Sequence, residues 1–205
     1  VTAAQYDLSR ATDRLGSEYL LLRNGLKPYA CGVVTHPTID GVRRLRRRHG
    51  VQPEQVEEIE ARVHPLVLEL TGKREPRTGL EGKFSIYFCA AIALIEGNAR
   101  QSQFTDEKVN REDVRALMGR VRVVPESGIR ESQAVVTIRI AGGPTLVERV
   151  EAATGTPANP LSDEELVEKF MDLVAPVLPA GRAQQLVEQV WDLDRLNDVA
   201  SITRL

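Results

Sequence analysis

The sequence predicts an α+β fold: a small mixed or antiparallel sheet with packed helices, followed by helices alone. Three observations carry this. Strand-like and helix-like segments are interleaved up to about residue 155, and only helical segments follow, the form of an α+β domain with a helical appendage. Residues 134–152 alternate in polarity on both sides of Gly142-Gly143-Pro144, which reads as a hairpin. Lys83 to Gly97 is apolar nearly all round, which marks a buried central helix. The chain divides into a lead-in at 1–16, an α+β domain at 17–155 and C-terminal helices at 156–205.

In chain order, the lead-in is polar, with Tyr6 and Leu8 as its early anchors. Glu18-Tyr19-Leu20-Leu21-Leu22-Arg23 before Asn24-Gly25 reads as a strand and a turn. Thr35 or His36 caps a helix with Pro37 in its first turn, and Gly50 ends it. Ile39, Val42, Leu45 and His49 form that helix's buried stripe, with Arg43, Arg44, Arg46, Arg47 and Arg48 around the rest. The arginine run invites a nucleic-acid or phosphate reading. A solvated face, with cations favoured near a helix C-terminus, is the preferred one.

Val56 to Leu70 carries strand alternation at Ile59, Ala61 and Val63, which puts His64 on the polar side. Thr71 to Gly82 reads as a loop, after which Ser85 caps the apolar helix and Gly97 closes it. Thr105 to Arg111 is a charged linker. Asn110 with Asp113 caps a helix carrying Val114, Leu117, Met118 and Val121 at helical spacing, with a short strand over Val121 to Val124 before Pro125 as the alternative. Ser162 and Glu165 form a capping box for a helix with Leu166, Phe170, Leu173 and Val174 inward, ended by Pro176 and Pro179. Two more short helices bury Leu186, Val187, Val190 and Trp191, then Leu196, Val199 and Ile202.

Composition narrows the function. With 205 residues the chain can bury a real core unaided. A formal net charge of -2 argues against a dedicated nucleic-acid binder, and 4% aromatics against a base-stacking surface. No apolar run reaches the roughly 20 residues of a membrane helix. Two cysteines, Cys31 and Cys89, make no disulfide framework and no zinc motif, so the expected location is cytoplasmic. Val1-Thr2-Ala3 is neither a signal peptide nor a start methionine, which suggests a processed or trimmed chain.

The densest chemistry lies in Lys27-Pro28-Tyr29-Ala30-Cys31, continuing to Thr35-His36-Pro37. A cation, a phenol, a thiol, a hydroxyl and an imidazole share ten residues shaped by two prolines and Gly32. Leu26 to Cys31 with Thr35-His36 resembles the lysine-tyrosine loop of the MmgE/PrpD (2-methylcitrate dehydratase) family. Lys83-Phe84-Ser85-Ile86-Tyr87 is similar to the family's second motif, and Ala153 to Ser162 running on to Lys169-Phe170 to its third.

That resemblance implies a small α+β lid over 17–155 and C-terminal helices that belong to the family's large all-helical domain. It implies a dehydratase, decarboxylase or epimerase of a small di- or tricarboxylate, using acid–base chemistry with no metal and no cofactor. Family members are longer. The helical half that supplies an acidic residue and histidines is expected to be missing, so the partner is either that half or a second copy of the chain. A non-catalytic ligand-binding or assembly module is the alternative.

On this resemblance Lys27, Tyr87 and His36 are the expected catalytic residues, and Lys27, Tyr29 and Ser85 the expected substrate contacts. Lys27 would hold a carboxylate, or act as a base if desolvated. Tyr87 would donate to a developing enolate oxygen, although members carry this tyrosine one position later, where Phe88 stands here. For Ser85 helix capping is an equal explanation, and for His36 a structural role. Cys89 reads as a small core hydrophobe.

Overall fold

Four strands form one mixed sheet in the order β2-β1-β3-β4: β1 is Val56–Val63, β2 Val121–Pro125, β3 Ala134–Ile140 and β4 Thr145–Val150. The computed structural model describes residues 7–204, so Tyr6 lies outside the described residues. β1 pairs antiparallel with β3, and β3 with β4 through the expected Gly-Gly-Pro turn, while β1 and β2 run parallel. A parallel neighbour needs a crossover. Here it is made by the helical stretch from residue 66 to 118.

The alternation in β1 buries Val56, Ile59, Ala61 and Val63 on one face. The other face is laced with charge: Arg139 pairs with Glu58 at 2.9 Å, and Arg122 with Glu60. A sheet covered on one side only produces this pattern.

Helix α1 (His36–His49) covers β3 and β4. Then come α2 (Leu66–Thr71), α3 (Gly79–Gly82) and α4 (Ile86–Glu96). Helix α4 packs against α1 and β2 and is the centre of the core, with every residue from Ile86 to Leu94 buried. Its ends match expectation: Ser85 Oγ accepts from Phe88 N–H at 3.2 Å, and Gly97 stands in the left-handed region at φ 72°. Helices α5 (Asp106–Asn110) and α6 (Glu112–Met118) lead into β2. Last come α7 (Asp163–Val174), opened by the Ser162–Glu165 capping box, and α8 (Ala180–Trp191).

Several expectations are corrected. The strand at Glu18–Arg23 is instead a 3₁₀ turn at Leu20–Arg23, with Leu20, Leu21 and Leu22 exposed. Among the described residues no strand pairs with it, and its backbone is satisfied locally, as by Asn24 N–H to Leu21 C=O at 3.1 Å. His49 is exposed because the last turn of α1 runs past the core. The strand from Val56 ends at Val63, where His64 Nδ1 accepts from Leu66 N–H and Pro65, at φ -52°, starts α2. The loop before Gly82 contains α3, and the charged linker contains α5, each capped by a threonine.

Asn110 does not cap α6. It closes α5, its side-chain amide donating to Arg77 and Asp106 carbonyls. The apolar residues of α8 are only partly covered, with Val190 and Trp191 more than half exposed. The two helices α7 and α8 leave an apolar groove of about 180 Å³ between them, lined by Leu166, Phe170, Leu186, Val187 and Trp191. Among the described residues no helix is long and apolar enough to cross a membrane.

Gly41 lets α1 lie close on the sheet. A Cβ there would come within 2.5 Å of Val136 Cγ2 and 2.9 Å of its Cβ. The clash is with a branched side chain on a central strand, so it should outweigh the helix propensity gained. Gly41→Ala is therefore expected to cost about 1–2 kcal/mol in urea melts. In a Val136→Ala background the same change should cost clearly less.

Candidate functional site

The Lys27–Thr35 loop is held at three points. Leu26 N–H donates to Gly155 C=O at 2.7 Å, Ala30 N–H to Ala99 C=O at 3.0 Å, and Gly32 N–H to Lys83 C=O at 2.9 Å. Gly155 has φ 85°, and a Cβ on it would sit 1.9 Å from Leu26 O. Only glycine admits both that conformation and that approach. The three motif stretches, far apart in sequence, thus meet at one loop.

Inside the loop Tyr29 is buried. Its hydroxyl donates to Asp40 Oδ1 at 2.5 Å and accepts from Arg43 Nη1 at 2.7 Å. Asp40 Oδ2 accepts from Thr154 N–H at 2.7 Å, and Arg43 Nε donates to Gly97 C=O at 2.8 Å. Burial, then the neighbouring Asp40 carboxylate, push the Tyr29 pKa well above the usual phenol range, although Arg43 opposes this. His36 packs edge-on against the Tyr29 ring at 5.2 Å, and its buried Nε2 has no hydrogen-bond partner among the described residues.

Behind Tyr29 lies a thiol cluster. Cys31 Sγ is 3.1 Å from Thr35 Oγ1, and that hydroxyl donates to Gly32 C=O. Burial raises the Cys31 pKa, but the neighbouring Cys89, His36 and Thr35 side chains outweigh it and draw the thiol down. Burial pushes the Cys89 thiol up. Both cysteines are free and buried.

On the outer side of the loop, Lys27, Tyr29, Arg100, Lys169, Asp172 and Leu173 line a cavity of about 150 Å³. Lys27 is exposed, with Nζ 3.4 Å from Cys31 C=O. Arg100 pairs with Glu168 at 2.6 Å, and Asp172 Oδ1 accepts from Ser102 Oγ at 3.1 Å. Lys27 and Lys169 have no carboxylate partner among the described residues. Two unpaired cations, Lys27 and Lys169, thus border this small cavity beside the paired Arg100 and the carboxylate of Asp172.

Of the residues expected from sequence, Lys27 and Tyr29 therefore share a cavity, with His36 against the inner face of Tyr29. Tyr87 and Ser85 are elsewhere. Tyr87 lies under the Arg74 guanidinium at 4.6 Å and lines a different cavity with Glu75, Arg115 and Met118. Ser85 is fully buried, its hydroxyl oxygen taken up by capping α4. Sequence reasoning did not single out Arg100 or Asp40, and it read Arg43 only as part of a solvated arginine face. Arg100 follows the Gly97 stop of α4 with no periodicity to place it, and Asp40 and Arg43 sit one helical turn apart on what reads as a surface helix. No group of three or more His, Cys, Asp or Glu side chains is placed to hold a metal among the described residues.

A family model described as the MmgE/PrpD C-terminal domain matches residues 29–193. Cis-aconitate decarboxylase of Mus musculus is 26% identical over 188 residues, covering 87% of this chain and 38% of the relative. Cis-aconitate decarboxylase of Aspergillus terreus is 23% identical over 209 residues, covering 93% of this chain and 42% of the relative. The Homo sapiens enzyme of that name is 28% identical over 131 residues, 61% of this chain and 27% of its own length. The chain thus spans about two fifths or less of these relatives.

Tyr29→Phe would leave Asp40 and Arg43 each short of a buried partner, an expected loss of about 1–3 kcal/mol in chemical denaturation at pH 7. It should also change the alkaline limb. Because the folded-state pKa is raised, the unfolded chain releases the phenol proton first once pH passes about 10. The wild-type contribution is then complete below that pH and lost above it, whereas Tyr29→Phe should lack this component in melts between neutral and alkaline pH.

Proposed function

The chain belongs to the MmgE/PrpD family, with its match to the C-terminal domain, and on that premise we propose that it forms the loop-bearing wall of a lyase site for a small tricarboxylate of the cis-aconitate or 2-methylcitrate type. The observation that carries this reading is the cavity that Lys27, Arg100 and Lys169 line together. Lys27 holds one substrate carboxylate as a mobile point charge and Lys169 a second, while Arg100 stays paired with Glu168. Tyr29 forms the apolar floor between them, and His36 holds Tyr29 in place from behind.

Loss of CO₂, or removal of the α-proton ahead of water loss, leaves negative charge on the carbon next to a carboxylate and on its carboxyl oxygens. Fixed cations at those oxygens lower that barrier more than they favour the ground state. The acid that protonates the carbanion after CO₂ loss, or the base and acid that take the α-proton and protonate the departing hydroxyl in water loss, come in this reading from the opposite wall, supplied by the remaining length of the family's chain. This acid–base route needs no metal. The partly covered Val190 and Trp191 and the groove between α7 and α8 fit the same idea. They are the face on which helices of that remaining part pack.

The test is to combine this chain with the helical part of the family's fold and to follow CO₂ release from cis-aconitate and water loss from 2-methylcitrate. Activity is expected with one of them, and Lys27→Ala should lower it about 100-fold. Inactive pairs across citrate-like acids would sink the lyase reading and favour a non-catalytic module. By itself the chain should self-associate through the α7–α8 groove. A compact monomer at 22.7 kDa in size-exclusion chromatography would count against that.

A further inference from the structure

A second cationic cavity, of about 320 Å³, lies beyond the Tyr29 hydroxyl and is lined by Arg43, Arg44, Arg46 and Arg47 of α1 together with Asp40 and Glu165. Four guanidinium groups on one cavity are unexpected in a chain whose formal net charge is -2. The carboxylates there are already engaged. Asp40 accepts from Tyr29 and from Thr154 N–H, and Glu165 Oε2 accepts from Ser162 N–H in the capping box of α7.

The cations divide into engaged and free. Arg43 is committed to Tyr29 and Gly97, and Arg44 shares Glu148 of β4 with Arg48. Arg46 and Arg47 make no ion pair among the described residues, and the buried Arg46 Nε has no hydrogen-bond partner there. The Arg46 guanidinium also lies against the backbone at the end of α4. It lies so close over Gly97 that a Cβ there would be 2.9 Å from its Nη1. A guanidinium with an unmet buried donor, beside an exposed unpaired one, is a poor arrangement for an empty surface. It suits an oxyanion that takes several N–H donors at once.

We propose that this cavity is a binding site for a small oxyanion carrying at least two negative charges, separate from the Lys27 cavity. The shared chemistry is that of a phosphate-type anion or a polycarboxylate, and Arg46 and Arg47 supply most of the recognition. Duplex nucleic acid is not the ligand in this proposal, because Glu165 and Asn159 wall the cavity and limit it to a compact anion.

Titration calorimetry on the full chain at low ionic strength tests this, with pyrophosphate in one arm and citrate in the other. Both are run in a Lys27→Gln background, so that anything held by the Lys27 cavity is removed and the lyase reading is not being measured. Saturable binding of either anion is expected. Arg46→Gln with Arg47→Gln should weaken it at least about tenfold, and Arg46→Lys should cost less than Arg46→Gln. Binding of pyrophosphate alone would assign the phosphate class, and binding of citrate alone the carboxylate class. Equal binding would assign a site that reads charge only.

Arg47 is exposed, so Arg47→Glu keeps the fold should the double variant unfold, and it too should weaken binding about tenfold or more. Binding of neither anion, or binding that Arg47→Glu leaves unchanged, would overturn the proposal.

Discussion

The buried hydroxyl of Tyr29 is the point on which the candidate site depends. Through Asp40 and Arg43 it joins four separate pieces of chain: the Lys27 loop, helix α1, the Gly97 end of α4 and the turn at Thr154. Each of these bonds is charge-assisted, and each ends on a group that burial would otherwise leave costly. A phenol serves here better than an aliphatic hydroxyl because its ring also fills the space beneath the loop, where His36 meets it edge-on. The same residue separates the two cationic cavities. Its ring walls the one holding Lys27, and its hydroxyl is bound by residues that line the other.

Much of the fold was legible because local chemistry and tertiary packing agree. Ser85 and Gly97 bracket an almost wholly apolar helix, and the helix is there with those ends. The Ser162–Glu165 box and the Gly-Gly-Pro hairpin follow from side-chain and turn preferences that hold wherever the segment lies. Errors arose where local pattern had to compete with distant partners. Leu20-Leu21-Leu22 has the composition of a strand, but among the described residues no strand pairs with it, and it curls into a turn. Asn110 has the composition of a cap, yet its amide is drawn to the Arg77 carbonyl across the fold.

The site was legible in a narrower way. Proline, glycine and reactive groups mark the Lys27 loop in the sequence itself. Nothing in spacing could say that Tyr87 would lie under Arg74 while Arg100 and Lys169 came to Lys27. Those arrivals are set by where α4 stops and by how α7 returns across the loop, both long-range outcomes. Likewise, the arginines of α1 read as a solvated face. In the structure Arg43 and Arg46 fold over the C-terminal end of α4, where its unpaired carbonyls attract cations.

The contact between Leu26 and Gly155 has a consequence for how the molecule is made. The loop's base is clamped by a residue that follows the last strand, so most of the α+β region must be synthesised and paired before the clamp can close. Closing so long a stretch is entropically expensive, and it is repaid only when the sheet is already in place. The Lys27 loop should therefore be among the last parts to acquire native order as the chain folds. Until then Tyr29 and its acidic and basic partners stay in water, and an incompletely folded chain would have no anion-binding wall to offer.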